Sequence, residues 1–209
     1  MTNILDLLAG SLDGNTISKL DQQVGIGDKN KTAAALEGIS KVILAGINRN
    51  AQTSEGLQSL NNALEKDHRG DIFNDVLGNL LNQDARRSQV QGYDRTLNGA
   101  GILRHVLGGN ENSVFDSLSK STNVDKGKLL SLAIKFAPFI LGALGKAKRE
   151  NGLDSNGLGS LLGSVMNSVT SNSSSQSNIL NSILDQDGDG NIVDDVAGIG
   201  KKIFGGLFK

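Results

Sequence analysis

A segment close to the C-terminal end of the chain has the residue types and the spacing of a calcium-binding loop. Aspartates occupy alternate positions and glycines follow two of them, in the order Asp185-Gln186-Asp187-Gly188-Asp189-Gly190-Asn191-Ile192. Calcium takes roughly six to eight oxygen ligands, and the side chains at loop positions 1, 3 and 5 converge because glycine at position 6 permits a sharp turn. Clustered carboxylates also repel one another unless a cation neutralises them. The sequence therefore predicts one bound calcium ion here.

The sequence leaves the closing ligand of this loop open. Asn191 offers its backbone carbonyl at position 7, but position 12, where a bidentate glutamate closes an EF-hand loop, is Val196. Closure then falls to Asp194 or Asp195, and a helix cap is the alternative role for Asp195, which aligns with Asp75. The predicted ligand set is Asp185, Asp187, Asp189, Asn191, Asp194 and Asp195. Few charged ligands favour weak binding, and the alternative is a solvated acidic turn without metal.

The other residues that could do chemistry lack partners nearby in the sequence. There is no cysteine, which excludes disulfides, thiolate metal sites and a cysteine nucleophile. Of the two histidines, His105 is expected to be a packed or surface residue, and His68, among charged neighbours, is expected in a solvated turn. No serine lies in a Gly-x-Ser-x-Gly elbow. We therefore expect a protein that is not an enzyme.

Charge and composition exclude one class of partner and favour one class of fold. The chain of 209 residues has 21 basic and 22 acidic residues, with six Phe, one Tyr and no Trp. A balanced charge with few aromatic rings does not suit a nucleic-acid-binding protein. The 27 glycines fall between apolar periodic segments and there is one proline, a pattern typical of many short helices.

An internal repeat predicts how these helices are organised. Residues 3–20 align with residues 101–118, and a slip of one residue then brings Asp28 opposite Asp125. A four-residue insertion follows in the second copy, and residues 70–78 finally align with residues 190–198. The predicted divisions are helical repeat one (1–98), helical repeat two (99–169), a polar linker (170–178), and the calcium-type loop with a C-terminal helix (179–209).

Each repeat is expected to form two short helices, one long apolar helix and two more short helices. In the first long helix, an apolar stripe with helical spacing marks the face toward the core, at Leu36, Ile39, Ile43 and Ile47. In the second, Pro138 is expected to kink or restart the helix. The most apolar run, 129–144, is too short to span a bilayer. The predicted fold is all-α, with two related multi-helix repeats packed together and a C-terminal EF-hand-like calcium loop and helix.

Three motifs resemble a bacterial family known as domain of unknown function 937. They are Gly99-Ala100-Gly101-Ile102-Leu103-Arg104-His105-Val106-Leu107-Gly108-Gly109, Leu141-Gly142-Ala143-Leu144-Gly145-Lys146, and the closing Asp187-Gly188-Asp189-Gly190. The resemblance covers most of the chain. It implies a helical fold and a bacterial origin, and it implies no particular activity.

The last residues of the chain form an apolar and basic pattern that suits contact with another surface. The apolar members fall largely on one helical face and are Val196, Ile199, Ile203, Phe204, Leu207 and Phe208, with a basic group at Lys201, Lys202 and Lys209. Such a helix can dock in the groove of a partner or on an anionic membrane surface. The alternative is that it packs against its own repeat.

These observations predict a non-enzymatic scaffold, or a self-assembly or interaction protein, with calcium ordering its C-terminal loop. Its expected partner is itself, as a homo-oligomer, or another protein, and not nucleic acid. The alternative is a peripheral membrane protein that uses the C-terminal helix. A metal-dependent hydrolase is less favoured because no base accompanies the loop. The N-terminus does not read as a signal peptide, so the cytoplasm is the expected location, with non-classical export as the alternative.

Overall fold

The described part of the chain is helical throughout apart from short turns. The computed structural model describes residues 4–68, 73–81 and 96–171. Within these ranges there is no strand, which confirms the predicted all-α class.

The described helices follow one another through short connections. The first half of the chain contains α1 (Ile4–Ser11), α2 (Gly14–Val24), α3 (Lys29–Asn50), α4 (Ser54–Lys66) and α5 (Phe73–Leu81). The second half contains α6 (Gly99–Leu107), a 3-10 turn (Gly108–Asn110), α7 (Glu111–Thr122), α8 (Lys126–Glu150) and α9 (Ser155–Ser171).

Short polar residues determine where several of these helices begin. Asp28 accepts hydrogen bonds from the first backbone N–H groups of α3, and Asp125 accepts one from the first turn of α8. Thr53 and Asp154 do the same for α4 and α9. Each such cap satisfies an N–H group that has no partner inside the helix. Asp28 and Asp125 are opposite one another in the sequence alignment, and so are Thr53 and Asp154.

The two long helices, α3 and α8, pack against each other at the centre of the protein. The stripe predicted for α3 is buried, with Leu36, Ile39, Ile43 and Ile47 all exposing 3% of their surface or less. On α8, Phe136 and Phe139 are fully buried, and their ring centroids lie 5.2 Å apart. Most of the buried apolar side chains of both halves form one continuous core.

Short helices from each half cross to the long helix of the other half. Helices α1, α4 and α5 pack against α8, while α6, α7 and α9 pack against α3. Because the contacts run in both directions, neither half has a complete core of its own.

Pro138 lies inside α8, which continues from Lys126 to Glu150. Of the two expected effects, a kink or a restart, the helix therefore does not show the restart. Proline lacks the N–H group that would bond to the carbonyl of the residue four positions earlier, here Ile134. Gly99, at the start of α6, lies against this carbonyl, because an added Cβ atom at Gly99 would be 1.7 Å from the Ile134 oxygen. The neighbouring helix therefore covers the position where α8 lacks its internal bond.

The observed length of α8 also differs from the sequence expectation. By length and composition alone this helix could cross a membrane, with a mean hydropathy of 1.6. The apolar run 129–144 is too short to span a bilayer, but the helix that contains it extends past it at both ends. Within the helix, 67% of the 18-residue window with this hydropathy is buried inside the protein. The core helix of a globular protein passes the same test of length and composition, and α8 is buried as such a helix is.

We expect Gly99→Ala to lower the free energy of unfolding by about 1–3 kcal/mol, because the new methyl group overlaps the Ile134 carbonyl and the helices must move apart. Urea unfolding followed by circular dichroism measures the change. Gly10→Ala is the matched control, since no atom lies within 4 Å of an added Cβ atom there. The control should be neutral or more stable by up to about 1 kcal/mol. Equal effects of the two substitutions would contradict the close contact.

Candidate functional site

The residues predicted to bind calcium lie outside the described part of the chain. This applies to Asp185, Asp187, Asp189, Asn191, Asp194 and Asp195, and also to the C-terminal segment 193–209. Within residues 4–68, 73–81 and 96–171, no group of three or more His, Asp or Glu side chains could hold a metal ion. That finding concerns other residues than the aspartate loop, and calcium binding there stays a prediction.

A cavity of about 680 Å³ lies between the C-terminal end of α3, helix α4 and helix α6. Both histidines of the chain line it, although they are far apart in sequence. Its other polar side chains include Arg49, Asn50, Thr53, Ser59 and Asn98. The cavity therefore combines residues of both halves of the chain.

His68 lies in the wall of this cavity with only 4% of its surface exposed, so the expectation of a solvated turn is wrong. The chain turns inward after α4, where the N–H groups of Asp67 and His68 both donate to the carbonyl of Ala63. The ring atom Nδ1 is buried and has no hydrogen-bond partner among the described residues. Burial lowers the pKa of His68 to about 4, against the smaller opposing effect of Asp67. The ring is therefore neutral near pH 7.

Hydrogen bonds join the C-terminal ends of α3 and α6 beside the cavity. Arg49 Nη2 donates to the Val106 carbonyl over 3.1 Å, and Asn50 Nδ2 donates to the His105 carbonyl over 2.9 Å. These carbonyls belong to the last turn of α6 and have no partner within that helix. Gly46 lets the two helices approach, since an added Cβ atom would lie 2.5 Å from Val106 Cγ1. The side chain of His105 is exposed, in agreement with the expected surface position.

Among the described residues that line the cavity, Arg49 is charged at neutral pH, and none is Asp or Glu. Burial lowers the pKa of the Arg49 guanidinium, but arginine remains protonated in proteins. The first turns of α4 and α6 also reach the cavity, through Gly56 and Gly101, and so do the last turns of α3 and α6, through Asn50 and His105. Helix N-termini carry partial positive charge and C-termini partial negative charge, so both signs face the cavity.

A second opening, of about 410 Å³, lies between α1, α3 and the C-terminal end of α9. We call it the α1–α3 groove. Its walls are mostly apolar, and its apolar lining residues are Leu5, Leu8, Ala9, Leu12, Ile17, Ala33, Leu36, Leu44 and Val169. Its two charged residues, Glu37 and Lys41, form an ion pair with each other over 2.7 Å. The groove is therefore an apolar surface with little net charge.

The described residues thus form an all-helical protein with two openings of different chemistry. The family described as bacterial protein of unknown function (DUF937) matches residues 6–147. The chain belongs to this family, which confirms the resemblance found in the sequence. The match extends from α1 to the last turns of α8. No curated protein and no solved structure matches the chain.

We expect acid to destabilise the protein through His68. The folded-state pKa of about 4 lies below the value of 6.5 for an unperturbed histidine, so the unfolded chain gains a proton first as the pH falls. Stability should then decrease between about pH 6.5 and pH 4, by ~3 kcal/mol in total.

The measurement is urea unfolding at pH 7.5, 6, 5 and 4.5 for the wild type, His68→Gln and His105→Gln. The His68→Gln variant should lose much of the pH dependence, and His105→Gln, which changes an exposed ring, should retain it. A slope unchanged by His68→Gln would mean that the imidazole is protonated in the folded protein.

Proposed function

We propose that this protein is a non-enzymatic scaffold that self-assembles when the C-terminal segment, residues 193–209, docks in the α1–α3 groove. The observation that carries the proposal is the groove itself, an apolar surface that the described residues leave open. An amphipathic helix can place its apolar face in such a groove. Calcium bound in the preceding aspartate loop orders the segment for docking.

The position of the groove supports this occupant. Ser168 and Val169 form one end of its lining, and residues 172–209 follow directly after α9. The segment has an apolar face of matching character, at Val196, Ile199, Ile203, Phe204, Leu207 and Phe208. The end of the chain therefore starts next to the surface that could receive it.

The sequence repeat provides a second, independent argument. Residues 193–198 align with residues 73–78 at the start of α5, and α5 packs on the long helix of the other half. There the ring centroids of Phe73 and Phe139 lie 4.9 Å apart, and Lys146 Nζ lies 4.9 Å from the Phe73 ring centroid. The start of α3 matches the start of α8, and the start of α4 matches that of α9, which supports the same duplication. By this relation, we expect the C-terminal segment to pack on a long helix, as α5 does.

The same contact can be made within one chain or between two chains. About 20 residues connect α9 to the segment, and this covalent connection gives the segment a high effective concentration near its own groove. Docking within the chain is then favoured at low protein concentration, whereas exchange between copies needs a higher concentration. Exchange of an identical element gives an assembly without any new kind of contact.

We expect calorimetric titration of the chelator-treated protein with calcium to show about one ion per chain, because a single loop has the required oxygen ligands. Asp187→Ala should abolish binding by removing a central carboxylate. Asp6→Ala, in the exposed first turn of α1, is the control and should bind as the wild type does. No heat at millimolar calcium would leave the loop as a solvated turn.

We also expect the mass measured by light scattering to rise with protein concentration, and more strongly with calcium. Ile203→Asp, in the segment, and Ala9→Arg, in the groove, should each keep the protein monomeric. Ala9 is exposed, so its replacement should not disturb the core. Ala100→Arg changes an exposed alanine of α6 outside the groove and should assemble normally. A wild type that stays monomeric at every concentration in both metal states contradicts the proposal.

A further inference from the structure

The cavity between α3, α4 and α6 is lined by a buried residue with a polar atom that the described part of the chain leaves without a partner. His68 is 4% exposed, and its Nδ1 has no hydrogen-bond partner among the described residues. Buried polar atoms in folded proteins nearly always have a partner, so an exception needs an explanation. Because His68 lines the cavity, a molecule bound there can supply the missing hydrogen bond.

The charges near His68 disfavour a charged ligand of either sign. The Asp67 carboxylate is close enough to act on the pKa of the His68 ring, and it repels an anion. Arg49 donates to the Val106 carbonyl, and its positive charge in the lining repels a cation. Helix ends of both signs also meet the cavity, so the backbone dipoles give no clear preference. Since a charged group also loses far more hydration on burial than a neutral one, an uncharged head group is favoured.

The state of the imidazole narrows the choice of this head group. Burial lowers the pKa of His68 to about 4, so the ring is neutral near pH 7. In a neutral imidazole, one nitrogen donates a hydrogen bond and the other accepts one. A hydroxyl group both donates and accepts, and it can therefore satisfy Nδ1 in either tautomer. An ether or ketone oxygen, which only accepts, can satisfy only the tautomer with its proton on Nδ1.

The apolar part of the lining determines the body of the ligand. It comes from α3, α4, α6 and α8, and its members are Ile47, Leu60, Ile102, Val106 and Leu141. Leu60 and Ile102 are only partly buried, so a hydrocarbon group in the cavity would remove more of their surface from water. The volume of about 680 Å³ lies within the roughly 300–1,000 Å³ of small-molecule sites, which are mostly apolar with a few fixed polar groups.

We propose that this cavity binds a small uncharged amphipathic alcohol, with its hydroxyl group at His68 Nδ1 and its hydrocarbon part against the apolar lining. Such a ligand contacts both halves of the chain, since His68 and Leu60 belong to the first half and Ile102 to the second. The site is separate from the assembly proposed above, because the cavity and the α1–α3 groove share no lining residue among those described.

The test uses octanol and the full-length protein. The chain has two histidines, so imidazole nitrogen signals in NMR spectra report the site directly, and His105→Gln assigns the remaining signals to His68. We expect octanol to shift these signals with saturation at one molecule per chain, and to shift Nδ1 more than Nε2 because Nδ1 makes the new bond. Octanoate and octylammonium have the same chain with a charged head, and each should bind at least ~10-fold more weakly.

Two matched substitutions separate this cavity from the groove. Ala63→Phe places a ring in the cavity, and Ala9→Phe places the same ring in the α1–α3 groove. The first should weaken octanol binding at least ~10-fold in calorimetry, and the second should leave it unchanged. Because Ala63→Phe can also disturb folding, the wild-type His68 signals give the decisive result.

Three outcomes would overturn the proposal. They are His68 signals that do not move at millimolar octanol, equal binding of either charged analogue, and binding that only Ala9→Phe weakens. The first leaves the cavity without this ligand, the second gives a site that does not select an uncharged head, and the third places the ligand in the groove. None of these results alters the expected assembly through the C-terminal segment, which Ala9→Arg and Ile203→Asp test separately.

Discussion

The packing of α3 against α8 is the contact on which the rest of the structure depends. Burial of apolar side chains is the main favourable term in folding, and these two helices supply about half of the buried residues of the core. The short helices are too short to be stable alone, and each is held by its apolar face against one or both long helices. Since the short helices of each half cross to the opposite long helix, loss of the α3–α8 contact would release both halves together.

Both openings follow from this arrangement. A long helix exposes more surface than two or three short helices cover, and the uncovered parts become the α1–α3 groove and the cavity beside His68. They differ in chemistry because of what surrounds them. The groove meets the middle of α3 and the flank of α1, where side chains are apolar, whereas the cavity meets helix ends, where backbone dipoles and polar caps such as Asn98 collect.

Local patterns in the sequence predict local features of this fold well. The spacing of Leu36, Ile39 and Ile43 correctly predicts the buried face of α3, because a single helix determines which residues share a face. The sequence could not predict the continuous helix through Pro138 or the burial of His68, because both depend on distant parts of the chain. Gly99 covers the carbonyl that Pro138 leaves without a partner, and the turn after α4 directs His68 into a wall shared with α6. The aspartate loop is a local pattern as well, and its ligands lie outside the described residues.

The contact between Gly99 and the proline-containing turn of α8 also distinguishes the two halves that the sequence predicts to be related. Lys41 stands in α3 at the position that aligns with Pro138, so the corresponding turn of α3 keeps its backbone hydrogen bond and has no free carbonyl to be covered. During folding, similar segments of one chain can take each other's places and trap the chain in a wrong arrangement. The Ile134 carbonyl, which Pro138 leaves without its helical partner, gives Gly99 of α6 a close contact on α8 that the corresponding turn of α3 does not offer. This difference between the two long helices thus favours a single arrangement of the short helices around them.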